Sequence, residues 1–393
     1  MNICLHNGTV MTGFSAMEKC AVLIEDGRIA DVFSEKRFEQ KRLGKIEAVD
    51  VDGAFIAPGF IDTHIHGFGG YGTDDCSTES VLKMSQFLCQ YGVTAFNPTL
   101  YPSVEDEMLN AVRQVSAAVG KESGAQIMGL HLEGPFLSPS KLGVQKPETL
   151  RQVDIPFMEE LWKASGGHIV NMTVAPELKG MRELALFCIK KGIILQAGHT
   201  DAKYENMVEG MQAGILHATH LFNAMSRLDH RNPNAAGAVL IHPEMSCEII
   251  ADGFHVHPHM FKLLQRDKPN DKIVLVTDGL KPTEQKDPPL FANNEEVVFH
   301  DGAFHRKIDD VIAGSGLTMI RGVENLTLFG FSLEDAVKTA ATNPAKVMRY
   351  EKKGAIIPGY DADIVVFDRD FNVNIVLVKG VLKKQGKEKL CDY

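Results

Sequence analysis

His64 and His66 stand one residue apart near the end of GFIDTHIHG (59–67), and similar chemistry recurs further along the chain. Glu133 ends HLE, His199 follows QAG, His220 lies in HATHLFNAM and Asp278 follows LVT. Four imidazoles and two carboxylates form a donor set for one or two divalent ions with positions left open for water. Strand alternation puts His64 and His66 on one face, both aimed the same way. Any one of the six, taken alone, reads equally as a hydrogen-bonded core side chain or a helix cap. Six at equivalent places read together as a site for one or two divalent metals.

The elements that must position them recur with a rhythm. Short β-rich apolar runs occupy 59–67, 92–99, 126–134, 168–177, 192–200, 215–224, 247–255 and 272–279. Their spacing of roughly 25–40 residues is the length of a strand–helix unit. Runs apolar on both faces suit strands buried in a parallel sheet. Eight units predict an α/β fold, a (β/α)8 TIM-type barrel over 58–349, with catalytic groups at the C-terminal ends of its strands. In the intervening segments, Val81, Met84, Phe87 and Leu88 share a helix face, and Ser103-x-x-Asp106 and Ser332-x-x-Asp335 read as capping boxes.

The two ends of the chain differ from its middle. Residues 1–57 read as short strands, with hairpin signals at Asp26-Gly27 and Asp52-Gly53, and 350–393 resume that style in IVVFDRDFNVNIVLVKG. The expected arrangement is a small β-sandwich domain formed from both chain termini. Residues 281–312, rich in Pro, charge and Phe, read as an insertion after the eighth strand. GFGGYG after His66 suits a tight turn better than a phosphate loop, and AGSGLTM (313–319) reads as the start of a helix.

Composition narrows the function. The 393 residues carry 41 Lys and Arg against 51 Asp and Glu, a net charge of −10, which argues against a general nucleic-acid or anionic-membrane binder. Seven cysteines (Cys4, Cys20, Cys76, Cys89, Cys188, Cys247 and Cys391) are scattered without a Cys-x-x-Cys pair and read as reduced thiols, mostly in the core. The N-terminus has no basic-then-apolar leader and no stretch reaches 18 apolar residues, so the expected location is cytoplasmic. Of fifteen histidines, twelve lie between His64 and His259, which concentrates imidazole chemistry in the barrel segment.

In order, PGFIDTHIHG, HLEGPF, GHTDA, THLFNAM, DGFHV, LVTDG and AGSGLTM resemble the amidohydrolase superfamily, and within it the N-acetylglucosamine-6-phosphate deacetylase family. The resemblance spans essentially the whole chain, closing with PGYDADIVVFD. Many amidohydrolases bridge two metals with a carboxylated lysine on strand 4. IVNMTVAPE has no lysine, and Glu133 supplies the carboxylate instead, as in the deacetylases.

The resemblance implies a role at each matching position. Glu133, His199 and His220 would hold the tighter metal, and His64 and His66 a second, with Glu133 bridging and Asp278 beside them; zinc or iron is implied, one or two ions per subunit. Asp278 would move a proton from the attacking water to the leaving amine, and His255 would polarise the acetyl carbonyl. Arg231, Asn223 and the Ala224 backbone would hold the phosphate, Arg231 acting either within its own subunit or across a homodimer interface. Gln145, where many relatives carry histidine, and Ile312 would complete the contacts to a phosphorylated amino sugar. Rival readings are another amidohydrolase reaction, deamination or cyclic-amide opening, and a catalytically silent barrel serving as an assembly subunit.

Overall fold

The computed structural model describes residues 2–40, 46–285 and 287–386. At its centre lie β1 (Phe60–Ile65), β2 (Val93–Leu100), β3 (Leu130–Glu133), β4 (Ile169–Val174), β5 (Ile194–Ala197), β6 (His217–Ala218), β7 (Ser246–Ile250) and β8 (Ile273–Val276). Each pairs parallel with the next. The ring closes from β8 to β1 through backbone, with Asp278 N donating to His64 O and His66 N donating to Gly279 O, both at 2.9 Å. Side chains repeat that closure. Asp62, fully buried, accepts from Thr277 N at 3.2 Å and from Thr277 Oγ1 at 2.6 Å. Burial outweighs these bonds and pushes the Asp62 carboxyl up to about 7. This is the (β/α)8 barrel that the eight runs predict.

The helices bury one face against the strands, as their period requires. In Thr78–Leu88, capped by the Ser77 side chain on Ser80 N, residues Val81, Met84 and Leu88 are buried. Phe87 departs from the expected face: it is 38% exposed and stacks on Tyr71 instead. Ser332 caps Leu333–Ala340 by accepting from Asp335 N at 3.1 Å. Ser103 does not cap the next helix. Glu105–Ser116 begins after Val104 with no side-chain cap, so three acidic residues in its first turn face the helix dipole unaided.

Strands from both ends of the chain form one eight-stranded sheet, joined where Phe55–Pro58 runs antiparallel to Ile364–Phe367. Alternation divides its faces: Ile364, Val366, Ile375 and Leu377 share a core with Ile3, Leu5 and Ile24, while Val365, Phe367 and Val376 pack into the barrel's core. Asp26-Gly27, at φ +49° and +76°, joins a true hairpin between Ala16–Glu25 and Arg28–Ser34. Asp52-Gly53 turns the chain but makes no hairpin. The strands on either side of it both run parallel to Ile3–Met11, because the chain continues forward along that one strand.

Residues 290–315 fold as a four-stranded antiparallel sheet after β8, where the insertion was expected. The 313–319 segment is not a helix start. Ile312–Ser315 is strand, and the helix Met319–Leu328 begins only after Thr318, whose side chain caps Arg321 N. The cause is a close backbone approach: Ser315 N donates to Asp278 O at 3.0 Å, and a Cβ on Gly314 would stand 2.9 Å from that same oxygen. No disulfide joins the described cysteines: Cys4, Cys20, Cys89, Cys188 and Cys247 are buried and Cys76 is half-buried, while Cys391 lies outside the described residues. No described helix is long and apolar enough to cross a membrane.

Candidate metal centre

The ends of the barrel strands bring the six expected side chains together. Glu133, the last residue of β3, is the hub. Its Oε1 lies 3.1 Å from His199 Nε2, 3.2 Å from His220 Nε2 and 3.4 Å from His64 Nε2, and its Oε2 lies 3.5 Å from His66 Nε2. Asp278 Oδ1 lies 3.5 Å from His64 Nε2 and 3.4 Å from His66 Nε2. The geometry yields two overlapping ligand groups, His64–His66–Glu133 and Glu133–His199–His220.

Three of these residues share a local device. His199, His220 and Asp278 each stand two residues beyond the last paired residue of β5, β6 and β8, with φ of +45°, +25° and +48°. Left-handed backbone at non-glycine residues is costly and persists where surrounding contacts over-determine it. Here it turns each side chain back over the mouth. His220 therefore sits past its strand rather than within it.

Three of the four rings are aimed by what their other nitrogen touches. His66 Nδ1 donates to Thr99 O at 3.1 Å, His199 Nδ1 to Lys141 O at 3.0 Å, and His64 Nδ1 to Glu248 Oε2 at 2.9 Å. These partners only accept, so the proton is on Nδ1 and the Nε2 lone pair faces the carboxylates. His64 Nε2, facing Glu133 and Asp278, is buried with no hydrogen-bond partner, as is His220 Nδ1 on the side of its ring away from Glu133. A buried lone pair aimed at carboxylate oxygens is satisfied by a cation, so the donor set fits a divalent ion. Burial pushes the Glu133 and Asp278 carboxyls up, but the surrounding imidazoles outweigh it and hold both below the ordinary carboxylate range.

The other predicted site residues are placed as follows. His255 Nδ1 lies 2.5 Å from Asp252 Oδ2, and its side chain is buried. Burial alone would lower its pKa; Asp252 outweighs that and raises it. Gln145 Nε2 donates to Glu133 Oε2 at 2.6 Å, while its Oε1 is buried without a partner. Asn223 Nδ2 donates to the carbonyls of His220 and Leu221 at 3.3 Å, and Ala224 (φ +46°) accepts from Thr200 N. Arg231 lies in a loop exposed throughout 227–232, its backbone N–H on Asp229 Oδ1. Ile312 is 40% exposed, opposite His305 at the start of the strand that reaches Asp278.

Several contributors escaped motif reading. Tyr101 stacks on His66 at 3.8 Å and 9°. His131 and Asp62 sit two residues before Glu133 and His64, a same-face alternation that could have flagged both. Glu248 is a charged residue inside an apolar strand, the signal that could have found it. A further group, His300, His305 and Asp310, lies on the antiparallel insertion. Its imidazoles stack at 3.8 Å and 21°, and His305 Nδ1 donates to Asp310 O. His300 Nε2 lies 2.9 Å from Asp310 Oδ1, so hydrogen bonds within the group hold it together.

Comparison with known proteins agrees with this geometry. Residues 55–383 match the amidohydrolase family. The chain is 33% identical to the N-acetylglucosamine-6-phosphate deacetylase of Bacillus subtilis, over 96% of each chain. It is 28% identical to an Escherichia coli N-acetylgalactosamine-6-phosphate deacetylase, over 92% of this chain and 97% of that one. A Mycobacterium smegmatis N-acetyl-D-glucosamine-6-phosphate deacetylase mutant, solved in complex with N-acetyl-D-glucosamine-6-phosphate, superposes with a TM-score of 0.91 at 26% identity, covering 98% of this chain and all of that one. A metal-ligand ring at the mouth of a barrel, flanked by a sheet from both termini, thus coincides with a family match over most of the sequence: the chain belongs to the amidohydrolase family.

Proposed function

We propose that the chain hydrolyses the acetamide of N-acetyl-D-glucosamine 6-phosphate to glucosamine 6-phosphate and acetate, in amino-sugar catabolism and cell-wall sugar recycling. The observation that carries the reading is the convergence of four imidazole Nε2 atoms on Glu133 with Asp278 beside two of them. The full-length likeness to deacetylases of this substrate supports the choice of sugar.

Glu133, His199 and His220 would hold one divalent ion, and His64, His66 and Glu133 a second, zinc or iron in either place. Such an ion supplies Lewis acidity, drawing charge from a carbonyl oxygen and making water a nucleophile near neutral pH. Asp278 accepts the proton of the attacking water as the new C–O bond forms, and returns it to the nitrogen as the C–N bond breaks. Its side chain is 12% exposed, more open to the mouth than the rings around it. His255, held by Asp252, donates toward the acetyl oxygen as charge builds there. Gln145 Oε1, buried without a partner, accepts from a sugar hydroxyl.

Arg231, Asn223 and the Ala224 backbone bind the phosphate, with Ile312 beside the sugar. Arg231 suits this role by its planar, bidentate guanidinium. The exposed 227–232 loop supports an arrangement in which Arg231 reaches the site of a second copy, so the reading includes a homodimer, acting in the cytoplasm. The test is acetate release by the metal-replete protein from N-acetylglucosamine 6-phosphate, beside N-acetylgalactosamine 6-phosphate, a cyclic amide and an amino-heterocycle. Preference for either of the last two, or no release from any, would sink the reading.

A further inference from the structure

Glu248 lies on β7 between Cys247 and Ile249, with no exposed surface. A buried carboxylate costs several kcal/mol unless its lone pairs are filled. Here they are filled from three directions. Oε2 accepts from His64 Nδ1 at 2.9 Å and from the His220 backbone N–H at 3.2 Å. Oε1 accepts from Gln196 Nε2 at 3.0 Å, with His217 Nε2 at 3.7 Å. One side chain thus reaches β1, β5 and the end of β6 across the barrel interior. It touches a ring of one ligand group and the backbone of the other.

We propose that Glu248 is the positioning residue that builds the His64 side of the centre. By accepting the Nδ1 proton, it commits His64 Nε2 as the ligand atom and fixes the plane of the ring. The capacity of His64–His66–Glu133 to hold a divalent ion then depends on a carboxylate that never touches the ion. His66 and His199 need no such group, because backbone carbonyls of Thr99 and Lys141 aim them. His64 is deeper, and only Glu248 accepts from its Nδ1 among the described residues. A carboxylate is required rather than an amide because both oxygens face donors. In a glutamine, the NH2 would oppose either Gln196 Nε2 or the His64 and His220 N–H groups.

The inference rests on the divalent-ion reading above, and its test is kept separate from activity. The protein is stripped with chelator and titrated with Zn2+ by calorimetry, for wild type, Glu248→Gln, His64→Asn and the double variant. Wild type should take up ions in two events. Glu248→Gln should weaken one of them about 10- to 100-fold, the usual effect of removing the partner of a ligating histidine. His64→Asn should weaken that same event, the double variant should be no worse than His64→Asn, and the other event should stay within threefold of wild type. Melting temperature in chelator reports the metal-free fold; Glu248→Gln, whose amide opposes buried donors, should melt below wild type yet remain folded at the titration temperature.

Three results would overturn the proposal: a Glu248→Gln titration that superimposes on wild type, equal weakening of both events, or a single event in wild type. So would a Glu248→Gln chain that fails to fold where His64→Asn folds, since Glu248 would then serve the barrel core. Acetate release by wild type is measured in parallel. Active wild type with an unchanged Glu248→Gln titration defeats this inference alone. No acetate with the expected titrations defeats the deacetylase reading alone.

Discussion

Asp278 Oδ1 lies 3.4 Å from His66 Nε2, across the seam where β8 closes onto β1. The last strand of the barrel therefore delivers its carboxylate to the first strand's imidazole, and the closure that completes the fold also completes the centre. Asp278→Asn keeps the shape and removes the carboxylate proposed to accept the proton. The expected outcome is a fall in kcat of about 10²- to 10⁴-fold, the usual worth of general acid–base catalysis, with ions at the Glu133–His199–His220 group retained. Steady-state kinetics beside elemental analysis checks it; a variant within threefold of wild type removes Asp278 from the proton path.

Arg231 is the cation proposed to bind the phosphate. A charge-assisted hydrogen bond contributes about 1.5–3 kcal/mol, so Arg231→Ala should cut the preference for phosphorylated over unphosphorylated N-acetylglucosamine about 10- to 100-fold, mostly through KM. The ratio of kcat/KM values for the two sugars measures this. An unchanged ratio would move the phosphate elsewhere.

The barrel and the terminal sheet are pinned by Asp363. Its carboxylate accepts from Lys353 Nζ at 2.6 Å, Lys379 N at 2.7 Å and Gln126 Nε2 at 3.0 Å, in a buried setting. Asp363→Ala leaves Lys353 Nζ only its 3.2 Å bond to Asp361 and strands the Lys379 and Gln126 donors, and should destabilise by about 1–3 kcal/mol. Asp271→Ala, which breaks an exposed pair with Lys346, should cost about 0–1 kcal/mol. Urea denaturation of the two variants tests the contrast, and equal losses would show that Asp363 ties nothing together.

Buried thiols give the fold a pH dependence with a definite sign. Burial pushes Cys188 from 9.0 up to about 12. Above pH 9 the unfolded chain gives up this proton while the folded chain keeps it, so the contribution is full below 9 and falls as pH rises toward 12. Between pH 8 and 10 one such thiol should cost the folded state about 1.4 kcal/mol. Cys188→Ala should lose that much less stability than wild type over this interval, measured by urea unfolding at both pH values. Parallel losses would place Cys188 in contact with water.

What the sequence by itself determined is what repeats locally. Strand-length apolar runs ending in His, Glu or Asp give the barrel, its strand order and the six residues at its mouth, because strand alternation and the C-terminal-end rule act within a few residues. Capping at Ser332 and the turn at Asp26-Gly27 are of the same kind. Tertiary structure decided what is set across the barrel. Strand register and closure put Glu248 under His64, and the insertion's last strand sets the Gly314 backbone against Asp278, over separations of 184 and 36 residues, while the loop after β3 folds Gln145 back onto Glu133. No local pattern encodes these contacts, since each depends on how the intervening strands pair or how the loop folds back. Residue types at strand ends name the chemistry; closure of the ring decides which nitrogen faces which oxygen.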